Sequence, residues 1–192
     1  VSGGIGLLVT QDNADDGSLK TTNASGIYSY QLNINRKLSL KAGIQATYFQ
    51  KRLDFDKLRF GDQINNRSGF IYPTQEQADR TSRSGVDFSA GVLGYSKKYF
   101  FGFAAHHINQ PDESFVKGPR RLPMKLTGHV GAVIPLNEDA DMSVSPNILY
   151  QKQANFQQLN LGIYLKKSVF VIGFWYRNKD AFIALAGIQT RY

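Results

Sequence analysis

The feature that most constrains this chain is an alternation of apolar and polar residues, which recurs in segments of about ten residues. In residues 37–49, polar residues alternate with the apolar Leu38, Leu40, Ala42, Ile44, Ala46 and Tyr48. A period of two places successive side chains on opposite faces of a β-strand, so the two faces meet different surroundings. A tilted strand of about 9–11 residues crosses a bilayer. The alternation therefore predicts the strands of a membrane barrel.

Ten segments carry this pattern or a more evenly apolar one. We predict strands over residues 3–10, 21–33, 37–50, 85–96, 99–107, 125–135, 142–151, 156–166, 169–177 and 181–191. The predicted fold class is all-β, an antiparallel transmembrane up-and-down β-barrel with about ten strands present. The chain opens at Val1 without Met or a signal peptide. We therefore expect residues 1–192 to be a single barrel domain that is part of a larger barrel.

Two long segments, residues 51–84 and 109–123, lack the alternation and are rich in charge or proline. We expect both to be surface loops, the first of which folds over the mouth of the barrel. Most of the remaining connections are short. Tight turns at one end and long loops at the other are typical of outer-membrane barrels.

The polar face of the predicted strands distinguishes a membrane barrel from a soluble one. Its residues are mostly uncharged, as in Gln45, Thr47, Ser143, Ser145, Asn147, Gln151, Gln158 and Asn160, and Lys41 and Asp87 are the clearest exceptions. Uncharged polar groups suit a barrel lumen, whereas a soluble barrel carries Lys and Glu outside. We therefore favour an integral outer-membrane protein, with a lipocalin-like soluble barrel as the alternative.

The apolar face and the strand ends extend this interpretation. Side chains on the apolar face would contact lipid, as in Val144, Ile148, Tyr150, Leu159, Leu161, Ile163 and Leu165. Aromatic residues at strand ends would form interfacial girdles, and we assign to them Tyr28, Tyr30, Tyr48, Phe49, Tyr99, Tyr150, Trp175 and Tyr176. No run of apolar residues reaches the roughly 20 residues of a membrane helix.

Composition and motif spacing argue against several kinds of chemistry. The chain has no Cys, which excludes Cys-based metal sites, and we expect no cofactor. Its net charge is +8 but no basic helix is predicted, so we expect no nucleic-acid partner. His106 and His107 are adjacent on a predicted strand and should face opposite sides, leaving only His129 to join one of them. Asp12, Asp15 and Asp16 form a poor match to a calcium loop.

A rim-active enzyme is a further alternative, because Ser114 follows the two histidines and lies beside acidic residues. Closeness in sequence is weak support for a catalytic triad, which is defined by geometry. We therefore expect a non-enzymatic protein. The basic loops are interpreted as a solvated surface, with contact to lipopolysaccharide phosphate as the alternative.

Several consecutive segments resemble the PorP/SprF family of type IX secretion system membrane proteins. They are residues 4–6, 19–22, 53–64, 85–96, 99–111, 122–127, 145–153 and 156–162. The most specific is the His-His-x-Asn-Gln-Pro run at residues 106–111, where a predicted strand passes into a loop. The similarity covers essentially the whole chain, although family members are longer.

The resemblance implies a function that the residue patterns alone do not. The family occurs in the outer membranes of Bacteroidetes and serves protein export by the type IX system and gliding motility. The resemblance implies partners among periplasmic lipoproteins and the C-terminal domains of secreted adhesins, together with outer-membrane lipid. It supplies no catalytic residues. We expect a docking or anchoring subunit, and the alternative is a porin for small solutes.

The two predicted loops are the expected contact regions, because they are long, charged and matched by family motifs. The candidate partner-contact residues are Asp54, Lys57, Arg59, Asp62, Asn109, Gln110, Arg120 and Arg121.

Overall fold

The computed structural model of the chain describes residues 2–14, 17–65, 69, 70, 73, 81–115, 120–137 and 141–190. The strands in these ranges are β1 (Ser2–Ala14), β2 (Leu19–Asn33), β3 (Leu38–Leu53), β4 (Ile64–Asn65), β5 (Gly69–Phe70), β6 (Ser82–Ser96), β7 (Tyr99–His106), β8 (Lys125–Ala132), β9 (Ile134–Pro135), β10 (Met142–Gln153), β11 (Phe156–Lys167), β12 (Phe170–Arg177) and β13 (Ala181–Ile188). Two 3₁₀ helices, Phe55–Lys57 and Gly61–Gln63, precede β4. None of the described helices is long and apolar enough to cross a membrane.

Eleven of the strands form one antiparallel sheet in the order β1-β2-β3-β6-β7-β8-β10-β11-β12-β13, with β9 paired to β10. Strands β4 and β5 form a separate two-stranded sheet. In the main sheet, strands that follow one another in the chain lie side by side and run in opposite directions. The predicted all-β antiparallel fold is confirmed. Within the described ranges β1 and β13 are each paired on one side only, so the sheet is not closed there. Its form is compatible with a barrel.

The sheet is curved, because strands that are far apart in it line one cavity. Leu8 of β1 and Lys125 of β8 line the same cavity. These strands are five positions apart in the sheet, or about 24 Å if it were flat at a strand spacing of about 4.8 Å. The sheet must therefore bend around that cavity, and we call the concave face the inner face.

The strand register separates the two faces as the alternation predicts. Ser25 pairs with Thr47, which pairs with Asp87, so polar residues of β2, β3 and β6 form one row on the inner face. On the outer face, Ile44 is 62% exposed and Tyr48 is 53% exposed. An antiparallel sheet keeps such faces distinct along every strand. The outer face is thus the apolar surface available to lipid.

Two of the predicted girdle residues lie on the inner face instead. Phe49 is 3% exposed and covers Gly85 on the neighbouring strand, and Trp175 covers Gly162. The prediction failed for these two residues because an aromatic ring can fill the space above a cross-strand glycine. The same arrangement recurs on both faces, and the further aromatic–glycine pairs are Phe100 with Gly131, Tyr164 with Gly173 and Phe101 with Gly94.

Strand boundaries differ from the predictions mainly at the long connections. Strand β3 continues to Leu53 and β6 begins at Ser82, so the connection predicted over residues 51–84 is shorter at both ends. The single strand predicted over residues 125–135 is interrupted at Val133, whose N–H donates to the Lys98 carbonyl at 2.7 Å. Local alternation cannot reveal such ends, because hydrogen bonds to distant segments decide them.

Candidate functional site

Two long connections lie at the same end of the main sheet, which we call the loop end, and they link β3 to β6 and β7 to β8. The short β1–β2 connection lies at this end too. A cavity of about 490 Å³ opens there on the inner face. Its lining includes Lys51 and Asp87 of the strands and Glu113 and Leu122 of the β7–β8 connection. This connection, predicted as a surface loop, therefore folds against the concave face of the sheet.

The wall of the cavity is a network of uncharged polar side chains. The Ser25 and Thr47 hydroxyls lie 2.8 Å apart. The Gln45 amide donates to Ser25 at 3.3 Å and to Thr47 at 3.0 Å. Because these part-buried groups bond to one another, the wall satisfies its polar atoms without using charge. Charged contacts are concentrated instead where the loop meets the strands.

The His-His-x-Asn-Gln-Pro run continues alongside β6 after β7 has ended. The Ile108 N–H donates to the Phe88 carbonyl at 2.9 Å. The Asn109 side chain accepts from the Phe88 N–H at 3.0 Å and donates to the Val86 carbonyl at 2.7 Å. Two residues of the run have positive φ, His107 (55°) and Gln110 (47°). Asn109 thus takes the place of a strand partner for the backbone of β6.

Two ion pairs and one histidine–carboxylate contact fasten the β7–β8 connection to the strands. Arg83 Nη2 lies 2.7 Å from Asp112 Oδ2, and Lys51 Nζ lies 2.5 Å from Glu113 Oε2. His107 Nδ1 lies 2.9 Å from Asp87 Oδ2. In the first two pairs the side chains are only 20–28% exposed, so solvent screens them less than a surface pair. The pairs connect the start of the loop to β3 and β6.

Asp112 is the most connected of these acidic groups. Its carboxylate accepts from the Ser114 hydroxyl at 2.8 Å and from the Ser114 N–H at 3.1 Å. These bonds, followed by the positive charge of Arg83 and the Arg120 N–H, hold the pKa of Asp112 below its usual range. Asp112 also forms an isolated bridge with Arg121. It therefore joins both arms of the loop to each other and to β6.

Asp87 and the two histidines also line this cavity. The sequence placed His106 and His107 on opposite faces, but both line this cavity, with ring centroids 6.5 Å apart. The expectation was wrong because β7 ends at His106 and the positive φ of His107 swings its side chain inward. Asp87 Oδ1 is buried and has no hydrogen-bond partner among the described residues.

Four candidate contact residues lie in the β3–β6 connection. The charged side chains of Asp54, Lys57, Arg59 and Asp62 are exposed. The apolar residues between them are half-buried, and the Phe55 and Phe60 rings stack with centroids 4.9 Å apart. The Asp54 N–H donates to the Ser18 carbonyl at 2.7 Å, which joins this connection to the β1–β2 loop. The segment presents charge outward from a local apolar cluster.

The other four candidates lie in the β7–β8 connection. Gln110, Arg120 and Arg121 are exposed. Asn109 is exposed as a residue, but both ends of its side-chain amide bind β6, so its main role in the structure is to position the loop. The structure thus brings both sets of candidates to one end of the sheet.

The geometry gives little support to the alternatives of a rim-active enzyme or a metal site. The Ser114 hydroxyl donates to Asp112, and His129 bonds to Asn147 at 3.2 Å on the inner face. In the described ranges no group of three or more potential ligands is arranged to hold a metal ion. Of the weak calcium motif, Asp15 and Asp16 lie outside the described residues.

Sequence reasoning did not identify the residues that fasten the loop. Lys51, Arg83, Asp112 and Glu113 were assigned to solvated connections, although Lys51 and Arg83 end up on the inner face of strands. A signal was available in the alternation itself. Continued past residue 50, it places Lys51 on the same face as Thr47, and a charge on that face needs a partner.

Comparison with known proteins supplies the family. The family model described as type IX secretion system membrane protein PorP/SprF matches residues 2–191. It describes a secretion-system membrane component and is not a known enzyme family. Neither the curated proteins nor the solved structures gave a match.

Proposed function

Because the chain belongs to the PorP/SprF family of type IX secretion system membrane proteins, we propose that it is a non-enzymatic outer-membrane barrel subunit that docks exported surface proteins at its loop end. Its periplasmic side would contact lipoprotein components of the same machinery. The described strands would form a single barrel domain, or part of one, in the outer membrane.

The observation that carries this proposal is the fastening of the β7–β8 connection. Arg83, Lys51 and Asn109 hold its first arm against the strands, while Arg120 and Arg121 remain exposed on its second arm. A contact surface that is ordered before binding loses less conformational entropy when a partner arrives. An exposed, charged but fixed loop is therefore well suited to recognition.

The β3–β6 connection supports the same conclusion. Its exposed charges of both signs, Asp54, Lys57, Arg59 and Asp62, lie at the same end of the sheet. Mixed charge favours selection among partners over tight nonspecific adhesion, because mismatched charges are penalised. Long loops of outer-membrane barrels usually face the cell exterior. The loop end would then meet proteins that have already crossed the membrane.

The outer face supports placement in a membrane. Ile44, Ile148, Leu161, Ile163 and Phe174 are each at least 41% exposed there. Exposed apolar side chains repeated on successive strands would be costly in water but not in lipid. The porin alternative gains no support from the family, and the β7–β8 connection lies across part of the lumen face.

The proposal is tested by reversing charge at the exposed arm of the loop. In native cells R120E/R121E should insert normally but retain several-fold less exported surface protein when the barrel is purified in mild detergent. The matched control is K20E/K152E, which has the same charge change on exposed lysines near the loop end. Equal retention by both variants would contradict loop docking.

A further inference from the structure

The end of the sheet opposite the loops, which we call the turn end, carries more basic than acidic residues. Its basic residues are Arg36, Lys37, Lys97, Lys98, Lys166 and Lys167. None of them forms an ion pair within the described part of the chain. At the loop end, Lys51, Arg83 and Arg177 are each paired with an acid.

Acidic residues at the turn end do not neutralise these cations. The described one is Asp141, and its carboxylate accepts a hydrogen bond from the Asn137 amide. Glu138 and Asp139 lie nearby in sequence but outside the described residues. Even with these three acids counted, positive charge predominates at this end. A cluster whose net charge has one sign attracts a partner of the opposite sign.

Three of the lysines surround a cavity of about 660 Å³ on the inner face. Lys97 and Lys98 approach it from the β6–β7 turn, and Lys166 approaches it from β11. Apolar residues, including Val133, Pro135 and Val171, line the space between them. The cavity therefore combines positive charge with an apolar lining, which suits an extended peptide with acidic and aliphatic side chains.

The turn that carries two of these lysines is held in a fixed shape. The Ser96 hydroxyl accepts from the Lys98 N–H at 3.3 Å and from the Tyr99 N–H at 2.9 Å. The Lys98 carbonyl accepts from Val133 across the sheet at 2.7 Å. On the other side, Lys166 Nζ donates to Gln189 at 2.9 Å. A positively charged site whose backbone is already ordered binds at a lower entropic cost.

We infer that the turn-end cavity binds an acidic polypeptide segment of a periplasmic partner. The inference rests on the proposed outer-membrane placement, in which short turns face the periplasm. Lys166, Ser143 and Val171 lie on the inner face, away from the lipid-facing side chains. That position favours a peptide entering the lumen mouth over a lipid headgroup at the outer wall.

The test measures binding of a fluorescent oligoglutamate peptide to the full-length protein in zwitterionic nanodiscs. Wild type should bind, and K97E/K98E should weaken binding roughly tenfold at low ionic strength, with the difference shrinking as salt screens the charges. K20E/K152E makes the same charge change at the loop end and should bind like wild type. Heat-modifiable gel mobility verifies that every variant is an assembled barrel.

The remaining outcomes decide against the inference. Equal weakening in both variants would reveal an effect of net charge alone. Loss of peptide binding when phosphatidylglycerol is added to the nanodiscs would assign the lysines to lipid. Unchanged affinity in K97E/K98E would overturn the turn-end site. None of these results touches loop docking, which is scored separately by the retention of exported proteins in R120E/R121E.

Discussion

Arg83 and Asp112 are joined twice, through a 2.7 Å contact between Arg83 Nη2 and Asp112 Oδ2 and a 2.9 Å hydrogen bond from Arg83 Nε to the Asp112 carbonyl. One side chain of β6 thus holds both the side chain and the backbone of the β7–β8 connection. Such two-point contacts fix orientation as well as distance. The order of the candidate docking loop depends strongly on this pair.

Removing Arg83 should release the loop. We expect Arg83→Met to speed amide hydrogen exchange in residues 107–115 by roughly fivefold, a modest effect because the pair is partly exposed to solvent. Arg52→Met removes an exposed arginine from the neighbouring β3 and should leave this exchange unchanged. Exchange measured by mass spectrometry would contradict the role of Arg83 if the two variants behaved alike.

Acidification should weaken the same connection. Hydrogen bonds from Ser114, with a contribution from Arg83, lower the pKa of Asp112. Its stabilising effect is therefore fully present above the ordinary pKa of Asp and is lost as the pH falls through the lowered value. Exchange protection of residues 107–115, corrected for intrinsic rates, should follow this course in wild type.

Asp112→Asn provides the comparison for the pH experiment. This variant cannot ionise at residue 112, so its loop should exchange faster at neutral pH and lose less protection on acidification. An identical pH profile in wild type and Asp112→Asn would show that another group controls the loop.

Asn109 should matter for structure more than for direct partner contact. Asn109→Ala removes two hydrogen bonds to β6 and should destabilise the loop by about 1 kcal/mol, given the usual net value of such bonds. Gln110→Ala, at the adjacent exposed position, should leave loop exchange unaltered. Faster exchange in Gln110→Ala than in Asn109→Ala would reverse this assignment.

Glycine substitutions should reveal the aromatic–glycine contacts. A Cβ at Gly162 would overlap the Trp175 ring, whereas a Cβ at Gly128 meets no atom within 4 Å. Gly162→Ala should lower the unfolding free energy by about 1–3 kcal/mol, the usual cost of overpacking. Gly128→Ala should be neutral or slightly stabilising. Urea titration of the barrel in lipid vesicles measures both, and equal stability would refute the contact.

The alternation of residues predicted the strands and their faces well, because a period of two is a local property of the sequence. It placed Gln45 and Thr47 on one face and Ile44 and Tyr48 on the other, as observed. It failed for Phe49, whose position depends on Gly85 across the strand pair. Register between strands joins residues distant in sequence, and no local pattern contains it.

The candidate site was predictable only in part. The two charged connections could be located, and Asn109 was singled out within a distinctive motif. The ion-pair partners of the residues that follow Asn109 could not be found from sequence, because they are far away in the chain. Arg83 and Asp112, for example, are 29 residues apart. His107 was misplaced because a single positive φ at the end of β7 reverses the expected direction of its side chain.

The most direct test of the docking account is site-specific photo-cross-linking in native cells, with the photoreactive residue at Arg59 or Arg121 of the loop end and at Lys37 of the turn end. The account predicts that both loop-end positions trap exported surface proteins of the type IX system and that Lys37 does not. Exported proteins trapped only from Lys37, or from no position while the barrel is inserted, would contradict it.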